Sequence, residues 1–341
     1  MAKKVALIRG DGTGPELVES MLTALMATGT KAEFIQCDAG LEWWEKNGGP
    51  NLVPEETWKI LNATDACFKG PTTTPWTPGS PRSVAVSIRQ KYKLFANVRP
   101  VKTFKGHASP LGEVDFVCVR EATEGMYSGL EHRLSDDVAI GIRKITRGAS
   151  ERVAEFAFKE AEKRKWATVY AINKGNILKE TDGLFMEAVH SIAAKHPQIH
   201  LEEAFIDNFS QQLIKNPQNF NQCIILSTNL FMDILSEEAS GLVGSIGVVY
   251  SANFGDRYAM FEPAHGSSPK YKGLDKVDPV ATILSGAWLL SYIGEEKGSQ
   301  AVFQATQEVI EDGRYVTYDL GGTAKTSEMT AEIANRIPKY M

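Results

Sequence analysis

Four cysteines in 341 residues, with no C-x-x-C pair among them, leave this chain without the pattern of a disulfide framework or a thiolate zinc site. Cys37, Cys67, Cys118 and Cys223 read instead as buried thiols, and no His/Cys cluster suggests zinc by another route. Basic excess is absent too. Thirty-seven lysines and arginines stand against 42 acidic residues, a net charge of −5, which offers no electrostatic footprint for nucleic acid. No apolar run approaches the roughly 20 residues that span a bilayer. The opening Met-Ala-Lys-Lys-Val-Ala-Leu-Ile enters a strand directly, without the apolar core of a signal peptide. These absences predict a cytoplasmic protein with neither nucleic-acid nor membrane partner. The length exceeds the usual size of a single core, so two domains are expected.

Strand and helix patterns alternate from the first residues, which predicts an α/β architecture. Val5 to Ile8 reads as a strand and meets the turn Gly10-Asp-Gly-Thr-Gly-Pro-Glu16, after which a helix runs over 17–26. Pro15 suits the first turn of that helix, where its missing N–H has no partner to lose. The turn lacks the G-x-G-x-x-G spacing, so a Rossmann fold is not expected. Further strands are expected to end at Lys69-Gly70, Arg99, Arg120, Asn173 and Asp207, with another over 223–226. Helices are expected over 83–92, 150–165, 231–242, 279–292 and 301–311. Polar residues that sit just past apolar strands, namely Arg99, Arg120, Lys174 and Asp207, then line the crevice where open α/β sheets bind ligands.

Three arginines, Arg89, Arg99 and Arg120, precede Tyr127. A guanidinium keeps its proton and offers a rigid fork for a carboxylate, so burying three of them is costly unless anions pair with them. Either neighbouring acids or an anionic substrate meets that need, and the spacing favours the substrate. Asp233 and Glu237 lie four apart on a predicted helix and face one side. With Asp207 they are candidate ligands of a hard divalent cation such as Mg²⁺ or Mn²⁺. Tyr127 and Lys174 are the candidate proton carriers; a lysine beside arginines or a metal has its ammonium disfavoured. The segment Phe261-Glu-Pro-Ala-His265-Gly-Ser-Ser-Pro-Lys270-Tyr271 is suited to bring backbone N–H groups, hydroxyls and a cation to a phosphate.

In motif order the chain resembles the β-decarboxylating dehydrogenases, the family of isocitrate, isopropylmalate and homoisocitrate dehydrogenases. The resemblance is carried by Gly10–Glu16, Gly70-Pro71, Ala96-Asn-Val-Arg-Pro100, Arg120–Gly125, Lys174-Gly-Asn176, Asn229–Glu237, Glu262-Pro-Ala-His-Gly266 and Asp319-Leu-Gly-Gly322. It implies a two-domain α/β fold with the active-site cleft between domains. Residues 1–98 and 252–341 would form a large cofactor-binding domain, and 99–251 a small domain carrying the dimer interface. It implies that Arg89, Arg99 and Arg120 hold a malate-like substrate, and that Asp207, Asp233 and Glu237 bind Mg²⁺ or Mn²⁺. Lys174 would remove the alcohol proton and Tyr127 would reprotonate the enol formed on loss of CO₂. In relatives the lysine and one acid come from the partner subunit, so a homodimer with shared active sites is implied. Thr73, Thr74, Glu262, His265, Gly266, Ser267, Lys270, Tyr271, Asp278 and Tyr318 would meet the nicotinamide cofactor.

By the same resemblance, residues 83–88 set the substrate. Ser83 matches a serine that binds the third carboxylate of isocitrate, a hydroxy tricarboxylate, whereas isopropylmalate enzymes carry leucines in this segment. Ala85 stands where isocitrate enzymes usually have asparagine and, with Val86, leaves room for an apolar group. Lys270, Tyr271 and Tyr318 resemble NADP-dependent members; NAD-dependent members place an aspartate at the position of Lys270. The chain departs from the pattern at Ala122, Asn173, Met232, Glu237 and Asp278. The expected activity is NADP-dependent oxidative decarboxylation of isocitrate to 2-oxoglutarate and CO₂. Isopropylmalate or homoisocitrate as substrate, NAD as cofactor, and a non-catalytic regulatory subunit of a hetero-oligomer are the alternatives.

Overall fold

The computed structural model describes residues 2–107, 109 and 111–341. The strands are β1 (Lys4–Ile8), β2 (Glu33–Cys37), β3 (Ala66–Lys69), β4 (Ala96–Lys102), β5 (Asp115–Glu121), β6 (Glu131–Arg133), β7 (Ala139–Gly141), β8 (Thr168–Asn173), β9 (His200–Phe205), β10 (Cys223–Ser227), β11 (Tyr250–Phe254) and β12 (Ala259–Pro263). The helices are α1 (Gly14–Met26), α2 (Leu41–Asn47), α3 (Glu55–Asn62), α4 (Val84–Tyr92), α5 (Arg147–Arg164), α6 (Thr181–Ala193), α7 (Ile206–Lys215), α8 (Asn229–Leu242), α9 (Val280–Tyr292), α10 (Glu296–Asp312) and α11 (Thr326–Arg336).

Ten strands form one sheet in the order β2-β1-β3-β12-β11-β4-β5-β10-β8-β9, and β6 pairs with β7 as a separate hairpin. The two wings are parallel, with β12 joining β3 and β5 joining β10 in parallel, while the central pairs β12–β11, β11–β4 and β4–β5 are antiparallel. Parallel strands need cover on both faces, which explains why β3 and β10 are buried at every residue. Helices α1, α9, α10 and α11 cover one wing through residues such as Met21, Leu284, Val302 and Ile333, and α5 and α6 cover the other through Val153, Phe158 and Phe185.

The antiparallel centre places the functional side chains. Register sets Asn97 opposite both Arg120 and Asn253. Alternate residues of a strand share a face, so Arg99 stands on the same side as Asn97. A buried polar row therefore crosses three strands where apolar residues would be expected. Arg99 does not end its strand: β4 continues through Pro100 and Val101 to Lys102. Asp207 lies in the first turn of α7 rather than at a strand end, because β9 stops at Phe205. The domain borders expected at 98/99 and 251/252 fall inside β4 and β11, which pair with each other.

Helix positions follow the expected ones, with shifted starts. Helix α5 begins at Arg147 because Thr146 accepts the amide of Ala149 as its N-cap, and α10 begins five residues before 301. All four cysteines are free and buried. Among the described residues no helix is long and apolar enough to cross a membrane.

Candidate active site

The glycine-rich turn between β1 and α1 ties two loops together. The amide of Asp11 donates to the carbonyl of Pro71 (2.8 Å), and that of Thr13 donates to the carbonyl of Ser267 (2.9 Å). Gly10 and Gly12 have φ of 80° and 59°, and a Cβ on either would come within 2.0 Å of Pro71 O or 2.2 Å of Ser267 O. Only glycine fits there. The buried Asp11 carboxylate accepts the amides of Leu41, Glu42 and Thr73, at 3.0, 2.8 and 2.7 Å. Thr73 in turn shares a hydroxyl hydrogen bond of 2.6 Å with Ser267. The predicted cofactor residues Thr73 and Ser267 thus meet, with Thr74 exposed beside them.

Arg89 projects from α4 into the polar row, where its Nε donates to Asn253 Oδ1 and its Nη2 to Glu262 Oε1, both at 2.8 Å. Lys69 completes this group by pairing with Glu262 Oε2 at 2.9 Å. Burial would raise the Glu262 carboxyl, but Lys69 and Arg89 outweigh it and hold the group far below the usual carboxylate range. Glu262, expected at the cofactor, spends its carboxylate on fixing Arg89. Lys69, Asn97 and Asn253 carry this arrangement without having been singled out in the sequence. The only signal was a lysine ending an otherwise apolar strand, Ala-Cys-Phe-Lys69.

Arg99 and Arg120 reach across to α8. Arg99 Nη1 donates to Ser236 Oγ (2.9 Å) and Glu237 Oε1 (2.8 Å), and its Nη2 lies 3.4 Å from Asp233 Oδ1. Arg120 pairs closely with Asp233 Oδ1, and its Nε and Nη2 donate to Asn229 Oδ1 at 2.9 and 2.7 Å. The Tyr127 hydroxyl donates to Asp233 Oδ2. The like-charged spacing of Asp233 and Glu237 is thereby compensated within the chain, because Arg99 bridges both carboxylates. Burial would push the Asp233 carboxyl up, yet Arg120, Arg99 and the Tyr127 hydroxyl keep it below its ordinary value. Burial raises the Tyr127 phenol against the opposing pull of Arg120. One cluster therefore unites Arg89, Arg99, Arg120, Tyr127, Asp233 and Glu237.

Lys174 and Asp207 stand apart from it. The Lys174 ammonium pairs with Asp207 Oδ1 at 2.8 Å, so within one copy its partner is an acid of the expected metal set and none of the three arginines' carboxylates. The hydrogen bond from Lys174 holds the exposed Asp207 carboxyl below its usual value. Among the described residues no three metal-ligating side chains converge within the chain, so the expected set of Asp207, Asp233 and Glu237 is not assembled by one copy. Asp233 and Glu237 nonetheless present the oxygen donors that suit Mg²⁺ or Mn²⁺.

On the cofactor side, Tyr271 and Tyr318 face each other with ring centroids 6.4 Å apart. The Lys270 ammonium sits 4.9 Å from the Tyr271 ring, and Lys276, overlooked in the sequence, sits 4.8 Å from that of Tyr318. His265 Nδ1 bonds to the Gly266 carbonyl at 3.0 Å, and burial pushes the imidazole down. A cavity of about 120 Å³ joins His265, Tyr271, Asp278 and Tyr318. Ser83 makes no capping bond to α4, which leaves its hydroxyl free of the helix. A hollow of about 670 Å³ lies elsewhere, between Trp166, Phe303 and Tyr340, and includes none of these residues.

The sequence profile of the isocitrate/isopropylmalate dehydrogenase family matches residues 4–333. The chain is 39% identical to 3-isopropylmalate dehydrogenase of Methanothermobacter thermautotrophicus, covering 98% of each. It is 40% identical to homoisocitrate dehydrogenase of Methanocaldococcus jannaschii, covering 99% of each. Against the isocitrate dehydrogenase [NAD] alpha subunit of Sus scrofa it is 36% identical, covering 98% of this chain and 90% of that one. The crystal structure of isocitrate dehydrogenase from Methylococcus capsulatus superposes with a TM-score of 0.94 at 39% identity over 99% of both chains. With the polar row, the acidic helix and the loop clasp on such a frame, the chain belongs to the isocitrate/isopropylmalate dehydrogenase family, whose members act on small hydroxy acids with a nicotinamide cofactor and a divalent metal.

Proposed function

We propose that this protein oxidises and decarboxylates a 3-substituted malate, isocitrate being the substrate that Ser83 supports. The observation carrying the reaction class is the cluster of Arg89, Arg99, Arg120 and Tyr127 against Asp233 and Glu237. Three guanidinium forks match the two carboxylates of the malate backbone. Tyr127, its phenol raised by burial, stays protonated at neutral pH and serves as proton donor to the decarboxylated carbon. The amine of a second copy's Lys174 accepts the alcohol proton. Asp233, Glu237 and a second copy's Asp207 would hold a divalent cation, which would supply Lewis acidity, and a bound nicotinamide would accept the carbinol hydride.

A homodimer fits this assignment, because Lys174 and Asp207 lie away from the arginine cluster of their own copy. The β6–β7 hairpin and its flanks expose Leu134, Val138, Ile140 and Ile142, an apolar run suited to a second copy. We place the small domain over 99–251, with the crossing in the paired strands β4 and β11.

NADP is the proposed cofactor, since Lys270 and Lys276 bring two cations to the Tyr271–Tyr318 pair, where a 2′-phosphate needs them. NAD is the second reading, favoured by relatives named for NAD at 36% identity. Likewise isopropylmalate and homoisocitrate form a second substrate reading, favoured by relatives at 39% and 40% identity and by the small side chain of Ala85. Nicotinamide reduction is to be followed with isocitrate, isopropylmalate and homoisocitrate, each with NADP⁺ and NAD⁺, in Mg²⁺ or Mn²⁺. Turnover of isocitrate with NADP⁺ is expected. Turnover of another acid retires the role given to Ser83, and preference for NAD⁺ retires that of Lys270. No turnover by folded protein with any pair leaves the regulatory-subunit reading.

A further inference from the structure

Two carboxyl groups meet in the small cavity beside Tyr271 and Tyr318 with no cation to balance them. Asp278, 5% exposed, accepts the Val280 amide on Oδ1 at 2.8 Å, while its Oδ2 is buried and has no partner. Asp319 accepts the hydroxyls of Ser245 and Thr317 at 2.6 and 2.7 Å. A Cβ on Gly247 would lie 3.0 Å from Asp278 Oδ2 and 2.9 Å from Asp319 Oδ2, so a glycine there lets the two carboxyls approach. Neither acid joins an ion pair among the described residues. Asp319 already accepts two hydroxyls, whereas Asp278 Oδ2 has no donor facing it, so Asp278 is the carboxyl with an oxygen left to carry a proton. His265 Nε2 is a second buried, unpartnered polar atom on the same cavity.

We propose that Asp278 receives the cofactor's adenine as a neutral carboxylic acid, which makes dinucleotide affinity depend on one proton held by the Asp278–Asp319 pair. The proposal rests on reading this cavity as the adenosine end of the cofactor site. The exposed edge of adenine offers an acceptor, N1, beside a donor, the N6 amino group. A carboxylic acid offers the complementary donor and acceptor, whereas a carboxylate accepts only and would face N1 with an unpaired anion. Ionised Asp278 would also add a buried negative charge to a site that must take an anionic dinucleotide. Burial first, and then Asp319, push the Asp278 carboxyl well above its ordinary range.

Other titrating groups facing the pair come from every side. His265, lowered by burial, changes charge on the acid side of neutrality. Tyr318 is raised by burial and by Tyr271. Lys270 and Lys276 stand over the tyrosine rings rather than on the carboxyls. Helix α1 contributes only Thr13 and Leu17 to the cavity, and α9 contributes the Val280 amide.

The test is calorimetric titration of the intact protein with NADP⁺ and with NAD⁺ between pH 6 and pH 10, in two buffers of different ionisation enthalpy, for wild type and Asp278→Asn. The amide keeps a donor and an acceptor and has no proton to lose. Wild-type affinity is expected to hold on the acid side. Above the Asp278 pKa it is expected to fall about tenfold per pH unit, with one proton taken up on binding. Asp278→Asn is expected to bind with similar strength and to lose that alkaline decline relative to wild type. Wild-type affinity that shows no decline and binding that takes up no proton at any pH up to 10, or a decline shared equally by both proteins, overturns the proposal. Binding of neither dinucleotide at any pH overturns the cofactor reading of the cavity and this proposal with it.

Discussion

The substrate-side cluster and the cofactor-side cavity treat charge in opposite ways. Around β4 and α8 every arginine already has a carboxylate: Arg89 has Glu262, Arg99 has Glu237 and Asp233, and Arg120 has Asp233. Around Tyr271 and Tyr318 the cations stand over rings, and the acids Asp278 and Asp319 have no cation at all. The first arrangement is held rigidly by mutual attraction within the protein. The second keeps its polar atoms for a partner that must arrive. Changes in the first region should therefore damage chemistry and stability together, and changes in the second should mainly alter which cofactor binds.

The sharpest attempt to break this contrast is Asp233→Asn. It removes one proposed metal ligand, the closest partner of Arg120 and the acceptor of the Tyr127 hydroxyl. Turnover in the spectrophotometric assay is expected to fall by at least about 10³-fold, the upper range for loss of one electrostatic group at a reacting centre. A loss under tenfold would show that α8 is not the catalytic wall. Glu262→Gln probes the same region through stability. It leaves Lys69 and Arg89 buried without a counter-charge, which costs about 3–5 kcal/mol. Thermal unfolding should shift down by roughly 5–10 °C, and an unchanged Tm would refute the pairing.

Glu262 also sets an acid limit. Its folded-state pKa is depressed, so its contribution is fully present above the unfolded value of about 4.3 and is lost as pH falls below that toward the folded value. Wild type should lose Tm on acidification below about pH 4.5, with Glu262→Gln flatter over the same interval. Parallel curves would assign acid unfolding to other carboxylates. The smallest effects are expected on the cofactor side. Lys270→Asp should lower the NADP/NAD preference about 100-fold, and Lys276→Ala about tenfold, since each removes one phosphate cation worth about 1.5–3 kcal/mol. Equal changes in KM for both cofactors would show that these lysines do not read the 2′-phosphate.

Much of the arginine cluster was legible because each member lies on or beside an apolar segment, where a cation demands explanation. Arg99 was misplaced at a strand end, since its apolar neighbours continue through Pro100 and Val101 and β4 runs on. The antiparallel centre was not legible at all. The pairing of β4 with β11 joins residues some 150 apart, and no local pattern records which strands become neighbours. For that reason Asn97 and Asn253, which link Arg89 and Arg99, passed unnoticed. Lys174 and Asp207 were recognised as functional types, but their mutual pairing depends on the short α7 start after β9. The purpose of the glycine turn, clasping the Pro71 and Ser267 loops, was not legible because it lies outside its own segment.

Arg99, stretched between Asp233 and Glu237, is the shared counter-ion of two carboxylates. An anion that engages the guanidinium loosens its hold on the carboxylates and so improves them as partners for a cation. A cation that engages the carboxylates releases the guanidinium for an anion. Because such coupling is reciprocal, the factor by which the hydroxy acid tightens the metal must equal the factor by which the metal tightens the acid. On the proposed assignment, one arginine bond network would make the site a two-ion lock, in which each ion raises the affinity for the other.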